Sequence, residues 1–327
     1  MMPAMRTVLR GLVIVACSLA CAAVASAQEL IPAAYTPAPV GVNLVSLVVT
    51  SNRGDIAFDP SGPIADGSGD ILVSTLSYGR TLGLLGRSST VTVVLPWVEG
   101  DLEGLYLGEQ AYAERSGQGD LVVRFGLNLL GGPAMTPAEF ASYRPRTLVG
   151  LSVTGIAPTG QYDPSKLINI GTNRWALKTE VGFVQVVGRW AFDGYAGLTV
   201  FTSNTDFFGG RTRSQDPIWS TQFHARYLIR RGLWAAADAN FWRGGRTTVD
   251  RVSGDDLQEN SRAGVTVSWQ VAPGHNLRFA ASRGAFTRIG GDFDSIGLSY
   301  AYSWVGKRKT TPLPGIDGGS EAAAAGR

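Results

Sequence analysis

The chain has 327 residues, a formal net charge of +3, and 17% charged residues against 44% hydrophobic ones. That small charge excess excludes the basic footprint of a nucleic-acid binder. Its two cysteines, Cys17 and Cys21, both lie near the N-terminus, which leaves the rest of the chain without disulfides or thiol chemistry.

Residues 1–27 read as a cleavable signal peptide. Arg6 and Arg10 give the basic start, Gly11 to Val24 the apolar centre, and Ala25-Ser26-Ala27 a small-residue cleavage site before Gln28. The apolar run is shorter than the roughly 18 residues a spanning helix needs. Because the segment holds two arginines and no acid, its removal takes the formal charge from +3 to +1. Residues 28–39 are Pro-rich and are expected to form a periplasmic N-terminal segment. No later stretch is apolar for the length of a spanning helix, so a membrane protein with this sequence must cross as a closed barrel.

Strand-like segments then follow one another: Val40–Asn52, Asp70–Leu82, Ser89–Trp97, Asp120–Leu130, Thr147–Pro158, Arg174–Val187, Trp190–Thr202, Ile218–Ile229, Leu233–Arg243, Arg262–Val271, Leu277–Arg283 and Ser295–Trp304. Their connections alternate in length. "LLGRS", "GR" after Val187, "RRG" and "APGHN" are short, whereas the others are long, polar and Gly-rich. One long insert, "GGPAMTPAEFASYRPR", falls on the short-turn side and predicts a helical turn around Pro137–Tyr143. Short turns at one rim and long loops at the other mark a transmembrane barrel. The fold expected is therefore all-β, an antiparallel transmembrane barrel of about twelve strands over residues 40–304, with short periplasmic turns and long extracellular loops. Residues 305–327, basic and then Pro-, Gly- and Ala-rich, read as a disordered tail.

The two faces of each strand differ as such a barrel requires. Trp219, Phe223, Ala225, Tyr227 and Ile229 alternate with Ser220, Gln222, His224 and Arg226. Leu233, Ala235, Ala237, Ala239 and Phe241 alternate with Trp234, Ala236, Asp238, Asn240 and Trp242, and Val265, Val267, Trp269 and Val271 with Gly264, Thr266, Ser268 and Gln270. Polar residues face water inside and apolar ones face lipid outside. The first two strands alternate poorly and their faces stay unassigned. A three-residue turn at "RRG" with Gly232 in the left-handed region sets Ile229 opposite Leu233, His224 opposite Asp238 and Gln222 opposite Asn240, and "GR" sets Val187 opposite Trp190.

The inward charged set is Arg124, Lys178, Glu180, Asp193, His224, Arg226, Asp238 and Arg278. One reading is a pore lining that selects solutes; the other is a self-neutralising network that fills a narrow barrel. The His224–Asp238 pair has the composition of a catalytic dyad, but the register brings no serine nucleophile beside it. No catalytic residue, metal site or cofactor site is assigned, and no Gly-Asp loop matches an EF-hand pattern.

"DGSGDILV" and "RSGQGDLVV" repeat a strand-opening unit that "GGDFDSIGL" echoes. With "APTGQYDPSKLINIGTNRW" and "TPAPVGVNL", these stretches resemble the phenol-degradation (MetA-pathway) outer-membrane transporter family, over about Pro37 to Val305. The resemblance implies an outer-membrane barrel that admits small hydrophobic or aromatic compounds and has no defined catalytic residues. Gly297, Tyr300, Tyr302 and Trp304 in the last strand resemble the terminal signal read by barrel-assembly machinery, and are expected at the membrane interface near the periplasmic rim.

The reading that follows is a passive channel for small solutes in the outer membrane of a Gram-negative bacterium, reached by secretion through the inner membrane. Its partners are outer-membrane lipid, the assembly machinery and a small-molecule solute. The alternatives are an outer-membrane lipid-modifying enzyme and a closed structural barrel.

Overall fold

The computed structural model describes residues 30–60 and 64–306. The proposed signal peptide and the tail beyond Gly306 lie outside the described residues. Among those described, no helix is long and apolar enough to cross a membrane.

The strands in chain order are β1 (Val42–Ala57), β2 (Ile64–Leu84), β3 (Arg87–Tyr106), β4 (Glu109–Gln118), β5 (Leu121–Leu130), β6 (Thr147–Ala157), β7 (Ala176–Val187), β8 (Trp190–Phe201), β9 (Asn204–Phe207), β10 (Arg211–Gln215), β11 (Ile218–Arg230), β12 (Leu233–Gly244), β13 (Thr247–Val249), β14 (Val252–Ser253), β15 (Gln258–Ala272), β16 (His275–Thr287) and β17 (Gly290–Val305). One antiparallel sheet runs β2-β1-β17-β16-β15-β12-β11-β8-β7-β6-β5-β3-β4, and the β2–β3 pairing closes it. With β4 set aside as an extension of β3, twelve strands form the ring. Closure leaves no unpaired edge in lipid, which is what permits strands to cross a bilayer.

The inferred registers hold. His224 pairs with Asp238, Gln222 with Asn240 and Val187 with Trp190. The turn itself differs from the expectation: it has two residues, Arg231-Gly232 with Gly232 at a φ of 77°, Arg230 and not Ile229 pairs with Leu233, and the register shifts between Leu228 and Arg230. This bulge absorbs the odd residue while preserving the alternation below it. The β2–β3 turn, Leu85-Gly86, has both φ values positive, 51° and 71°, the signature of a two-residue hairpin whose twist matches its strands. The expected helical turn is α1 (Pro137–Ser142), capped by Thr136 and Glu139 in a reciprocal box. The Thr136 hydrogen bonds hold the exposed Glu139 carboxyl below its usual range.

Two expectations need correction. Much of the expected loop length is strand. β2 has 21 residues and β3 has 20, about twice the 9–11 needed to span a bilayer. These strands continue past the membrane because Gly-rich sequence with interspersed apolar residues still pairs well: β3 pairs with β5 over Ser89–Val94, then with β4 over Trp97–Tyr106. The switch falls at Pro96, which has no N–H to offer a ladder. Strands β9, β10, β13 and β14 form a separate four-stranded sheet on the same side.

The second correction concerns residues 28–39. Of this segment, Leu30–Pro39 folds into the barrel instead of standing apart in the periplasm. Tyr35 is 3% exposed and packs with Leu148, Val184 and Tyr195. A short Pro-rich peptide carries backbone donors with no ladder to join, and the lumen supplies acceptors for them.

Candidate functional site

All eight residues assigned inward face the lumen, and most are held in place by one another. Asp193 on β8 has a side chain with no exposed surface. It receives two hydrogen bonds from Arg226, Nε to Oδ2 and Nη2 to Oδ1, both 2.8 Å. The Tyr195 hydroxyl donates to Asp193 at 3.0 Å, and so does the Ala33 backbone N–H at 3.0 Å. Lys178 and Glu180, two residues apart on β7 and so on one face, form an ion pair at 2.8 Å. His224 Nδ1 lies 2.7 Å from Asp238 Oδ1, and the Thr266 hydroxyl donates to Asp238 Oδ2 at 2.6 Å. Arg124 on β5 lies over the Tyr35 ring, 5.2 Å from its centroid, with Nη2 lacking a hydrogen-bond partner. Arg278 on β16 and Arg226 both approach the Trp234 ring, at 5.6 and 5.9 Å.

The dyad composition does not become a hydrolytic triad. Among the described residues His224 Nε2 has no hydrogen-bond partner, and the imidazole is fully buried. Thr266 bonds the carboxylate and not the ring. The other histidine, His275, opens β16, where its Nδ1 meets the Tyr300 hydroxyl at 2.6 Å outside the lumen.

The N-terminal segment threads this network. Ile31 N–H donates to Gln222 Oε1 at 3.2 Å and Ala34 N–H to the Tyr195 hydroxyl at 3.1 Å. Tyr35 donates to Glu180 Oε1 at 3.0 Å, with Ser152 Oγ also 3.0 Å away. Its ring lies over Gly150 and Gly182, which are register partners on β6 and β7. A Cβ on either glycine would collide with that ring, so the pair is a seat built for an aromatic side chain.

Beside Leu30 and Ile31 the lumen keeps a cavity of about 330 Å³. Its β1–β2 wall carries Val48, Thr50, Val73 and Thr75; the opposite wall carries Asp238, Arg262 and Arg278. This explains the poor alternation of the first two strands. Their outward residues, such as Leu47, Val49, Leu72 and Leu76, are apolar as lipid demands, but so are inward Val48, Ile71 and Val73. Further out, Ile56, Ile71, Leu102 and Phe293 form a buried apolar cluster that Phe58 and Ile168 join.

Sequence reasoning missed Arg262, Thr266, Trp234 and Tyr35 as site residues. The first was legible: the parity of Gly264, Thr266 and Ser268 extends to Arg262. Tyr35 was not, since nothing in a Pro-rich stretch marks it as an insert.

On the outer face, Tyr300, Tyr302 and Trp304 are exposed, with the Tyr302 and Trp304 rings stacked 5.6 Å apart. Trp190 and Tyr227 meet at 4.9 Å near the same rim. Such a row is the aromatic girdle of a barrel at the bilayer boundary. Gly297 does not belong to it. Three residues before Tyr300, it points to the opposite face and lines the lumenal cavity. Beyond the membrane, burial and the nearby Arg213 cation lower Arg174 to about 9, where its guanidinium lies over Phe201 and bonds Gln215.

A closed antiparallel ring, apolar outside, polar within and girdled by aromatics, defines an outer-membrane β-barrel. Within that class, the family model described as "Putative MetA-pathway of phenol degradation" matches residues 51–302, and the chain belongs to this family. Among solved structures, an outer membrane channel from Pseudomonas putida F1 matches with a TM-score of 0.71 at 23% identity, covering 84% of this chain and all (100%) of that one. The β domain of the Bordetella autotransporter BrkA gives a TM-score of 0.46 at 11% identity, covering 80% and 100%. The CymD monoaromatic hydrocarbon channel gives 0.40 at 9%, covering 83% and 90%. The fold likeness rests on the first of these. No curated protein matches the chain.

Proposed function

We propose that this protein is a passive outer-membrane channel for small solutes with an apolar or aromatic body. The observation that carries the reading is the lumenal cavity, which sets Val48 and Val73, spaced by threonines on β1–β2, against Asp238, Arg262 and Arg278 on β12–β16. A strictly hydrophilic pore has no use for Val48 and Val73 facing inward, and a packed structural core has no use for the open space. Family membership supports the same reading.

Export by residues 1–27 and assembly through the Tyr300–Tyr302–Trp304 strand belong to this proposal. Replacing Tyr300 and Tyr302 by Ala should then lower the yield of inserted barrel, measured as the fraction that migrates faster on gels when unboiled.

Single-barrel recordings in planar bilayers test the function. Discrete conductance steps that small aromatic solutes reduce would support a channel. A specific observation favours a second reading, a closed barrel: the hydrogen-bonded Leu30–Tyr35 insert fills part of the lumen. Conductance absent in both the full protein and a variant lacking residues 28–36 would establish that second reading and overturn the first.

A further inference from the structure

The lumenal charges do not cancel locally. Each lumenal acid named above has its own partner: Glu180 takes Lys178, Asp193 takes Arg226, and Asp238 takes His224 and Thr266. Of the lumenal arginines named above, three remain without an acid in contact: Arg124, which lies over the Tyr35 ring, and Arg262 and Arg278, which line the cavity. Arg262 is 5% exposed, donates through Nη1 to Ser282 (3.1 Å) and Ser295 (2.6 Å), and has an Nε with no partner. Its two hydroxyl partners are neutral. Arg278 lies over the Trp234 ring, and the nearest acid on its side of the cavity is Asp238, which is already held by His224 and Thr266. The acids of the adjoining β17, Asp292 and Asp294, are exposed and act on Arg262 through space without touching it, and Asp294 already pairs with Arg283 at 3.0 Å.

Both arginines line the 330 Å³ cavity whose other wall is Val48 and Val73. A guanidinium withdrawn from bulk water with no acid in contact is costly, and its planar fork matches a carboxylate. On β15 and β16, Arg262 sits level with Gly284 and Arg278 with Ser268. Six residues of β-strand separate the two levels, roughly 20 Å along the strand. One carboxylate therefore meets them in succession, not together.

We propose that this cavity binds small organic anions, carboxylates with an apolar body, with Arg262 as the outer and Arg278 as the inner carboxylate-binding group. Val48 and Val73 on the β1–β2 wall seat the body. The proposal rests on the channel reading and narrows its solutes to apolar acids.

Calorimetric titration of the purified, detergent-solubilised barrel with benzoate, benzyl alcohol and benzylammonium tests it. Benzoate should bind about tenfold more tightly than benzyl alcohol, the ratio for one charge-assisted hydrogen-bonding group. Arg278→Gln and Arg262→Gln should each shrink that ratio. Equal affinity for the two ligands, no benzoate binding, or a preference that survives in the double variant would overturn the proposal. If the variants do not fold, the wild-type reversal potential in a sodium benzoate gradient decides. Benzoate more permeant than sodium supports the site, and equal or sodium-favoured permeation overturns it. Loss of the benzoate preference in a barrel that still conducts defeats this inference alone, whereas absent conductance defeats the channel reading beneath it.

Discussion

The β1–β3 side of the lumen and the β7–β12 side solve the same problem in opposite ways. On the first, Ile56, Ile71, Val73 and Leu102 turn inward and bury one another. No charge there must be matched, and the few polar groups, such as Asn52 with Ser295, have local partners, so the wall tolerates an empty space beside it. On the second, Glu180, Asp193, His224 and Asp238 are almost fully buried, and each must find a partner or remain an uncompensated polar group. The charged wall is consequently rigid and interlocked, and the insert binds there, where acceptors for its free N–H groups are available. An apolar wall gives a solute surface to slide along; a charged wall gives specificity and holds the insert.

The comparison breaks most severely at Asp193. Asp193→Ala removes the carboxylate that pairs with Arg226 and accepts from Ala33 and Tyr195. Breaking one partner of a buried pair should cost about 3–5 kcal/mol, read as a lower urea midpoint for loss of the heat-modifiable barrel. A cost near zero would mean that water already screens this wall. On the other side, Ile71→Ala should cost less, toward the lower end of the about 2–5 kcal/mol typical of aliphatic truncation, because neighbours bordering an open cavity can relax. If Ile71→Ala proves the more damaging change, the apolar wall and not the ionic network anchors the barrel. The smallest stability effect is expected at Asp238→Asn, which keeps a hydrogen-bonding side chain and should stay within about 1 kcal/mol. It removes the negative charge facing the cavity, so anion-over-cation permeability in a salt gradient should rise. Unchanged selectivity would place Asp238 outside the field that solutes feel.

Much of this architecture follows from sequence alone. Alternation with period two fixes which side of a strand meets lipid, and a one-residue slip would turn every side chain around. The His224–Asp238 register was therefore readable from the alternation of faces, although the turn is one residue shorter than expected and a bulge at Ile229 restores the parity. The inward set from Arg124 to Arg278 followed from the same parity, since lipid excludes charge from the other face. The first two strands resisted this reasoning because Val48, Ile71 and Val73 are apolar on the inner face too, and parity carries no signal when both faces are alike. Strand length past the membrane was equally hidden, since water tolerates a loop and a paired strand alike in Gly-rich sequence.

What only the tertiary structure decided was the pairing of charges and the place of residues 30–39. Composition shows a lumen of both signs, but which arginine lacks an acid depends on distances across strands far apart in the chain: Arg226 reaches Asp193 across 33 positions, and Arg262 finds only hydroxyls. The seat for Tyr35 is likewise non-local, because Gly150 and Gly182 become one surface only when β6 and β7 lie in register. Local periodicity determines the wall of a barrel. Its contents are determined by side chains that meet across the lumen, and no period in the sequence encodes that meeting.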